Sequence, residues 1–235
     1  MTTMSLLVAL NEVKSLLKEA NLLKYENTTR PREILDSKFS PEFLSVIYSE
    51  DYDCVFKTAM KNSDFDFVLC DDSFLQFSAQ KGENGLIEGK IRYAYFPNPR
   101  TYHTYVEFLK ENEMSYEDVG EVFASEYEQY ISEAKLKKFI TPIRYDYDYS
   151  AYEELNHSVS HLHIGREENI RIPISKMLNP QTFTLFVIKN MYYEYWKQAI
   201  TNEKFRDIYI SAKSKCMVLS EELFTTLENQ QMYLH

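Results

Sequence analysis

The sequence predicts an α+β fold: a mainly antiparallel sheet of about five strands packed with helices, in one domain spanning residues 1–235. Three observations carry this prediction. Runs rich in aromatic and β-branched residues alternate in polarity with period two, as at Phe65 to Cys70, Phe74 to Ser78 and Ile87 to Phe96. Asp71, Asp72 and Ser73, and then Gly82, Asn84 and Gly85, lie between these runs and have the chemistry of tight turns. Segments with helical periodicity flank the strands on both sides.

In chain order, Leu6, Leu10, Val13, Leu17 and Ala20 recur at three and four, predicting an amphipathic helix from about Ser5 to Lys24. The segment 1–60 is expected to be helical and packed on the sheet. It is punctuated by Pro31 and Pro41, with a short helix over Pro41 to Tyr48. After the meander, Pro97 and Pro99 stop the third strand and a helix begins near Tyr102. Ser115 and Asp118 resemble a capping box that opens a longer helix, with Val119, Phe123, Tyr130 and Ala134 on its inner face. Pro142 introduces two further strands, Ile143 to Tyr149 and His157 to Ile164, and Arg171 to Ile174 reads as an edge strand. Asn179 and Pro180 open a helix near 180–197 that is apolar almost all round and therefore buried. Ser220 is expected to cap a last helix reaching about Gln230.

Composition narrows the function classes. Hydrophobic residues make up 44 % of the chain, enough for a packed core. Cys54, Cys70 and Cys216 are odd in number and far apart, which argues against a disulfide framework and for a reducing compartment. The N-terminal residues lack a basic region followed by an apolar run, and no uncharged stretch reaches membrane-spanning length, so the expectation is cytoplasmic with no membrane partner. The net charge of −10 is concentrated: residues 107–133 hold nine acids and one base, the remainder 27 acids and 25 bases. A dense basic surface for non-specific nucleic-acid binding is missing, although a local basic patch is compatible with these numbers. The acidic face suits a solvated helix or a docking surface for a basic partner. With only five glycines and no phosphate-loop motif, ATP binding by a standard route is excluded.

The chemistry concentrates between Arg144 and Gly165, which holds three of the five histidines. A strand over 157–164 puts His157, His161 and His163 on one face and Leu162 and Ile164 on the other. The same parity sets Arg144, Asp146 and Asp148 against Ile143, Tyr145 and Tyr147. His161 and His163 therefore suit a shared divalent metal ion, with Asp146 or Asp148 as the oxygen ligand. His157 would lie about 13 Å from His161 along a straight strand and joins only if the chain bends. Metal-free acid/base chemistry, with an Asp orienting a His, is the alternative. Polar face residues hydrogen-bonded to Tyr and Ser are the bland reading. Asp71 and Asp72 lack the Glu-x-Lys partner of a restriction-type nuclease on the next strand, which reads SFLQFSAQK, so they read as turn residues. Arg92 and Arg100 interleaved with Tyr93, Tyr95, Phe96, Tyr102 and Tyr105 would suit base stacking, but such a run is more often core.

The stretches from Asp71 to Phe77, Ile91 to Pro97, Arg144 to Asp146, His157 to Gly165 and Arg171 to Ser175 together resemble an uncharacterised bacterial family, domain of unknown function 2290. Its pattern maps onto Arg144, Asp146, His157, Ser160, His161, Gly165 and Arg171, with His163 at a less strict position. The resemblance implies a cytosolic component of anti-phage islands beside a helicase partner. The expectation is a candidate nuclease with Asp146, His157 and His161 as catalytic residues, His161, His163 and Asp148 as metal ligands, and Arg144, Arg166 and Arg171 contacting nucleic acid or partner. A non-catalytic docking or sensor subunit that uses the acidic helix is the competing expectation.

Overall fold

The sheet is larger than expected, with seven strands, one of them formed where the first helix was expected to continue. The structure, a computed structural model, describes residues 3–28, 39–48, 51–83, 85–166, 170–231 and 233. The breaks expected at Pro31 and Asn84 lie outside the described residues. The chain divides into two compact units, residues 1–97 with 141–235, and residues 98–140.

In the larger unit, helix α1 (Thr3–Glu19) leads into β1 (Leu23–Glu26), so the last residues of the expected helix are strand. The helix ends at Asn21, whose φ of 55° places it in the left-handed region that Asn tolerates, and the Leu22 N–H closes the end on the Leu17 carbonyl. The segment 1–60 also contains α2 (Pro41–Val46), capped by Ser40, and α3 (Tyr52–Lys61), capped by Asp51. Strands β2 (Phe67–Leu69), β3 (Phe74–Gly82) and β4 (Gly85–Phe96) form the meander, followed by β5 (Ile143–Asp148), β6 (Ser160–Ile164) and β7 (Ile172–Pro173). All seven pair antiparallel in the order β1-β2-β3-β4-β5-β6-β7, which corrects the expected five. The four residues of β1 are too short for a periodic signal and pair through their neighbour's hydrogen bonds, while β7 is the edge strand expected within Arg171 to Ile174. A second, two-stranded sheet joins β8 (Lys176–Met177) to β9 (Met217–Val218).

Helix α7 (Pro180–Met191) has the Asn179 cap and Pro180 start that the sequence signals, but the expected continuous helix to 197 is two. The backbone leaves helical geometry at Tyr192, and α8 (Tyr193–Ala199) restarts beyond it. The break carries the Tyr192 hydroxyl into the core, where it donates to Asp71 at 2.8 Å and meets the Tyr95 hydroxyl at 3.1 Å. Helix α9 (Glu203–Ala212) follows. No α-helix spans Ser220 to Gln230; that stretch is turns ending in a 3-10 segment at Glu228–Gln230.

One sheet face is the core. Phe77, Tyr93, Tyr145, Tyr147 and Leu162 are buried there with Leu10, Val13 and Leu17 of α1 and Phe183 and Val187 of α7. At one end of the other face, Phe43 of α2 and Phe56 of α3 pack on the stacked pair Phe74 and Phe96. The remainder of that face is polar and forms the candidate site.

The smaller unit contains α4 (Tyr105–Glu111), with a capping box between Thr104 and Glu107, and then α5 (Tyr116–Val119) and α6 (Ala124–Glu133). The expected long helix from Ser115 is broken at Gly120, whose φ of 51° interrupts the helical backbone. Tyr105, Phe108, Tyr127 and Tyr130 pack as an aromatic cluster, and all nine acids of 107–133 are exposed.

Candidate functional site

The polar face is assembled by register. Antiparallel pairing sets Asp146 of β5 between Arg92 of β4 and His161 of β6, and Arg144 opposite His163. Lys90 lies opposite Asp148, and Ser78 and Gln80 of β3 continue the row. Even-numbered residues of β3, β4 and β5 thus meet odd-numbered histidines of β6 on one face. Together with Phe39, His157 and Arg171 they line a cleft of about 420 Å³.

Asp146 is the hub. It is buried, at 8 % exposure, and accepts from Arg92 Nε at 2.8 Å and Arg144 Nε at 2.7 Å. His163 Nε2 lies 3.4 Å from its Oδ2. Burial by itself would raise the carboxyl, but the His163 hydrogen bond and the two guanidiniums hold it well below the ordinary carboxylate range. Asp146 is therefore ionised throughout the physiological range.

The hydrogen bonds settle the tautomer of His161. The Ser158 carbonyl, 2.7 Å from Nδ1, can only accept, so Nδ1 carries the proton and Nε2 presents its lone pair. Burial lowers the His161 pKa to about 4, opposed by the Ser158 bond and by Asp146, so the ring is neutral at pH 7. His161 Nε2 and His163 Nε2 are 3.1 Å apart, so His163 donates when His161 is neutral. His163 Nδ1 is buried without a protein partner among the described residues.

His157 is outside the strand. The expected strand over 157–164 begins only at Ser160; His157 closes a turn with Glu153, its N–H donating to the Glu153 carbonyl at 2.7 Å. That bend brings the His157 ring within 5.0 Å of His161, which a straight strand would forbid.

The structure thus brings Asp146, His157, His161 and His163 together, with Arg144 and Arg171 on the same cleft. Asp148 lines the cleft but stands apart from the three-residue cluster of Asp146, His161 and His163, whose donor atoms lie within 4.8 Å of one another. Its carboxylate pairs with Lys90 at 2.9 Å and caps the turn at Ser150. Of the two candidate oxygen ligands, geometry favours Asp146 over Asp148. Arg166 is turned to the Tyr52 ring, 5.8 Å from its centroid.

Sequence reasoning missed Lys90 and placed Arg92 in a base-stacking run, not beside Asp146. The signal was available, since Arg92 shares parity with Lys90 on a strand whose odd residues Ile91, Tyr93 and Tyr95 are core. Only the β4–β5 register reveals that Arg92 faces Asp146. Tyr93 and Tyr95, the candidate base-stacking platforms of that strand, are 1 % and 3 % exposed, which removes them from that role. Asp71 accepts from Ser73 and Tyr192 and organises a turn, as its sequence context predicted.

The family comparison confirms the resemblance carried by these motifs. A family model described as "Uncharacterized conserved protein (DUF2290)" matches residues 16–235, and the chain belongs to that family. No curated protein and no solved structure matches it. Among the described residues, no helix is long and apolar enough to cross a membrane.

Proposed function

We propose that this protein acts on nucleic acid through the cleft, as a phosphodiester-cleaving component of a helicase-containing anti-phage assembly. The observation that carries the proposal is the composition of the cleft. Lys90, Arg92, Arg144 and Arg171 line it beside three histidines, against only Asp146 and Asp148 as acids. A cavity with this balance attracts a phosphodiester locally although the whole chain is acidic. Arg171 is exposed and makes no ion pair among the described residues, so it suits a rim contact to phosphate.

In this reading His163 gives its Nε2–H to Asp146 Oδ2, 3.4 Å away, which leaves the Nε2 lone pair of neutral His161 to accept a proton from the attacking hydroxyl or water. His157 lies beside it at the bend of the chain and serves as the acid toward the leaving oxygen. Asp146 orients His163 and the two arginines and does not itself transfer a proton. The helicase partnership and the bacterial defence role rest on the family resemblance.

A second reading has an observation of its own. Nine exposed acids on residues 107–133 form a surface suited to a basic partner, and the Asp146 network also ties three strands together without any chemistry. In that reading the protein is a docking or sensor subunit.

The test is cleavage and binding of single- and double-stranded DNA and RNA by wild type, His157→Ala and His161→Gln, with and without a partner helicase. Loss of cleavage in folded variants is expected. Lys90→Gln and Arg171→Gln should weaken oligonucleotide binding and each reduce the salt slope by about one. Neither binding nor cleavage under any condition, with helicase association abolished by substituting Glu117, Glu121 and Glu128, would establish the docking reading instead.

A further inference from the structure

We propose that Asp146, His161 and His163 form a binding site for a divalent first-row transition metal, with a phosphoryl oxygen of the substrate completing its coordination. This deepens the nucleic-acid reading of the same cleft and rests on that reading for its fourth ligand. With His161 Nε2 on the metal, His157 is the histidine left for proton transfer and His161 acts as a ligand instead of a base.

Ligand spacing is the first support. Two ligands held about 2.0–2.1 Å from one metal at a tetrahedral angle stand about 3.3 Å apart. His161 Nε2 and His163 Nε2 are 3.1 Å apart, and His163 Nε2 and Asp146 Oδ2 are 3.4 Å apart. Two of the three ligand pairs therefore already have the spacing of a coordination shell. They lie on two paired strands of a buried sheet and need no loop to close around the ion.

The surrounding partners also fit. A metal-bound imidazole ordinarily donates its other N–H to a fixed acceptor, and His161 Nδ1–H donates to the Ser158 carbonyl at 2.7 Å. A ligating carboxylate is ordinarily hydrogen-bonded, and Asp146 accepts from Arg92 and Arg144. Each carboxylate oxygen has two acceptor positions, so Oδ2 can take the Arg144 hydrogen bond and a metal together. His163 Nδ1, buried and without a protein partner among the described residues, is the nitrogen that takes the proton when its Nε2 turns to metal. Two imidazoles and one carboxylate select zinc, cobalt, manganese or iron over magnesium or calcium.

Charge sets the fourth ligand. Arg92 and Arg144 together outweigh the single carboxylate they hold, so a bare divalent cation meets a net positive cluster. An anionic oxygen from a phosphoryl group relieves that repulsion and also meets the guanidiniums. Metal and phosphoryl ligand should consequently bind with positive coupling.

The experiment uses the full chain stripped with EDTA and titrated calorimetrically with Co²⁺, alone and with thymidine monophosphate. Visible d–d bands of the bound cobalt report its coordination. One bound equivalent is expected, with affinity raised roughly tenfold by the nucleotide and, reciprocally, nucleotide affinity raised by cobalt. His163→Gln should lower cobalt affinity roughly 10- to 100-fold or more while its melting curve shows a folded protein. If that variant does not fold, ¹⁵N imidazole spectra of the wild type decide: titration should shift the Nε2 signals of His161 and His163 and leave His103 unchanged. No cobalt binding with or without nucleotide, full binding by folded His163→Gln, or unmoved His161 and His163 signals would each overturn the site. Binding without nucleotide coupling would overturn the phosphoryl ligand. Cleavage that persists in EDTA would leave the nucleic-acid reading standing while this site fails. Tight metal binding without any nucleic-acid binding would do the reverse.

Discussion

Removing the charge on Asp146 is the sharpest probe of how the polar face is held. Asp146→Asn preserves shape but replaces a carboxylate by a neutral amide between two guanidiniums. The wild-type group accepts at 2.8 Å from Arg92 and at 2.7 Å from Arg144, and hydrogen bonds to a charged group contribute about 1.5–3 kcal/mol each. The Arg92 and Arg144 side chains are 41 % and 28 % exposed, so water recovers part of their solvation and the lower end of that range applies. The expected loss is about 3 kcal/mol, which for a chain of this size lowers Tm by about 6–12 °C. Urea unfolding measures the free energy, and circular dichroism the melting point. A double-mutant cycle with Arg144→Gln should return a coupling of about 1 kcal/mol. If Asp146→Asn melts within about 2 °C of wild type and the cycle shows no coupling, the reasoning fails. The three strands would then be joined by backbone pairing and the apolar face, with the ion pairs contributing nothing measurable.

The core supplies three further tests. Burial raises the Tyr95 phenol to about 12, so the unfolded chain loses its proton near pH 10 while the native state keeps it. Tyr95 should therefore contribute fully below pH 10 and lose up to about 3 kcal/mol between pH 10 and 12, isolated as the difference between wild type and Tyr95→Phe in urea unfolding across that window. A flat profile across that window would contradict it. Tyr192→Phe removes the donor to Asp71 and leaves the Tyr95 hydroxyl without its 3.1 Å partner, for an expected loss of about 1–2 kcal/mol in chemical denaturation. Phe183→Ala opens a void beside Phe77 and Tyr93, should cost about 3–5 kcal/mol, and is checked by calorimetric Tm.

Alternation alone made the face of each long strand legible. It placed Tyr145 and Leu162 in the core and Asp146, His161 and His163 opposite, because side chains on a strand alternate whatever their partners are. Asn179 and Pro180 marked the start of α7 because capping chemistry is local. Other features depended on partners distant in sequence. The break at Tyr192 exists because its hydroxyl reaches Asp71, 121 residues away in the chain. Strand β1 exists because β2 pairs with it, and its four residues carry no period, whereas the edge strand β7 was marked by Pro173.

The site divides along the same line. Its residue types, three histidines and two aspartates within one short span, are a property of the sequence, and so is the family that residues 16–235 define. Which aspartate belongs with the histidines was decided by register: Asp146 is paired with His161, while Asp148 is drawn to Lys90 and Ser150. The turn at Glu153 brought His157 to His161, and β4 supplied Arg92, neither of which local spacing encodes. Local chemistry sets what a residue can do. Backbone pairing between distant segments sets what it meets, because hydrogen-bond register is a property of two strands and not of one.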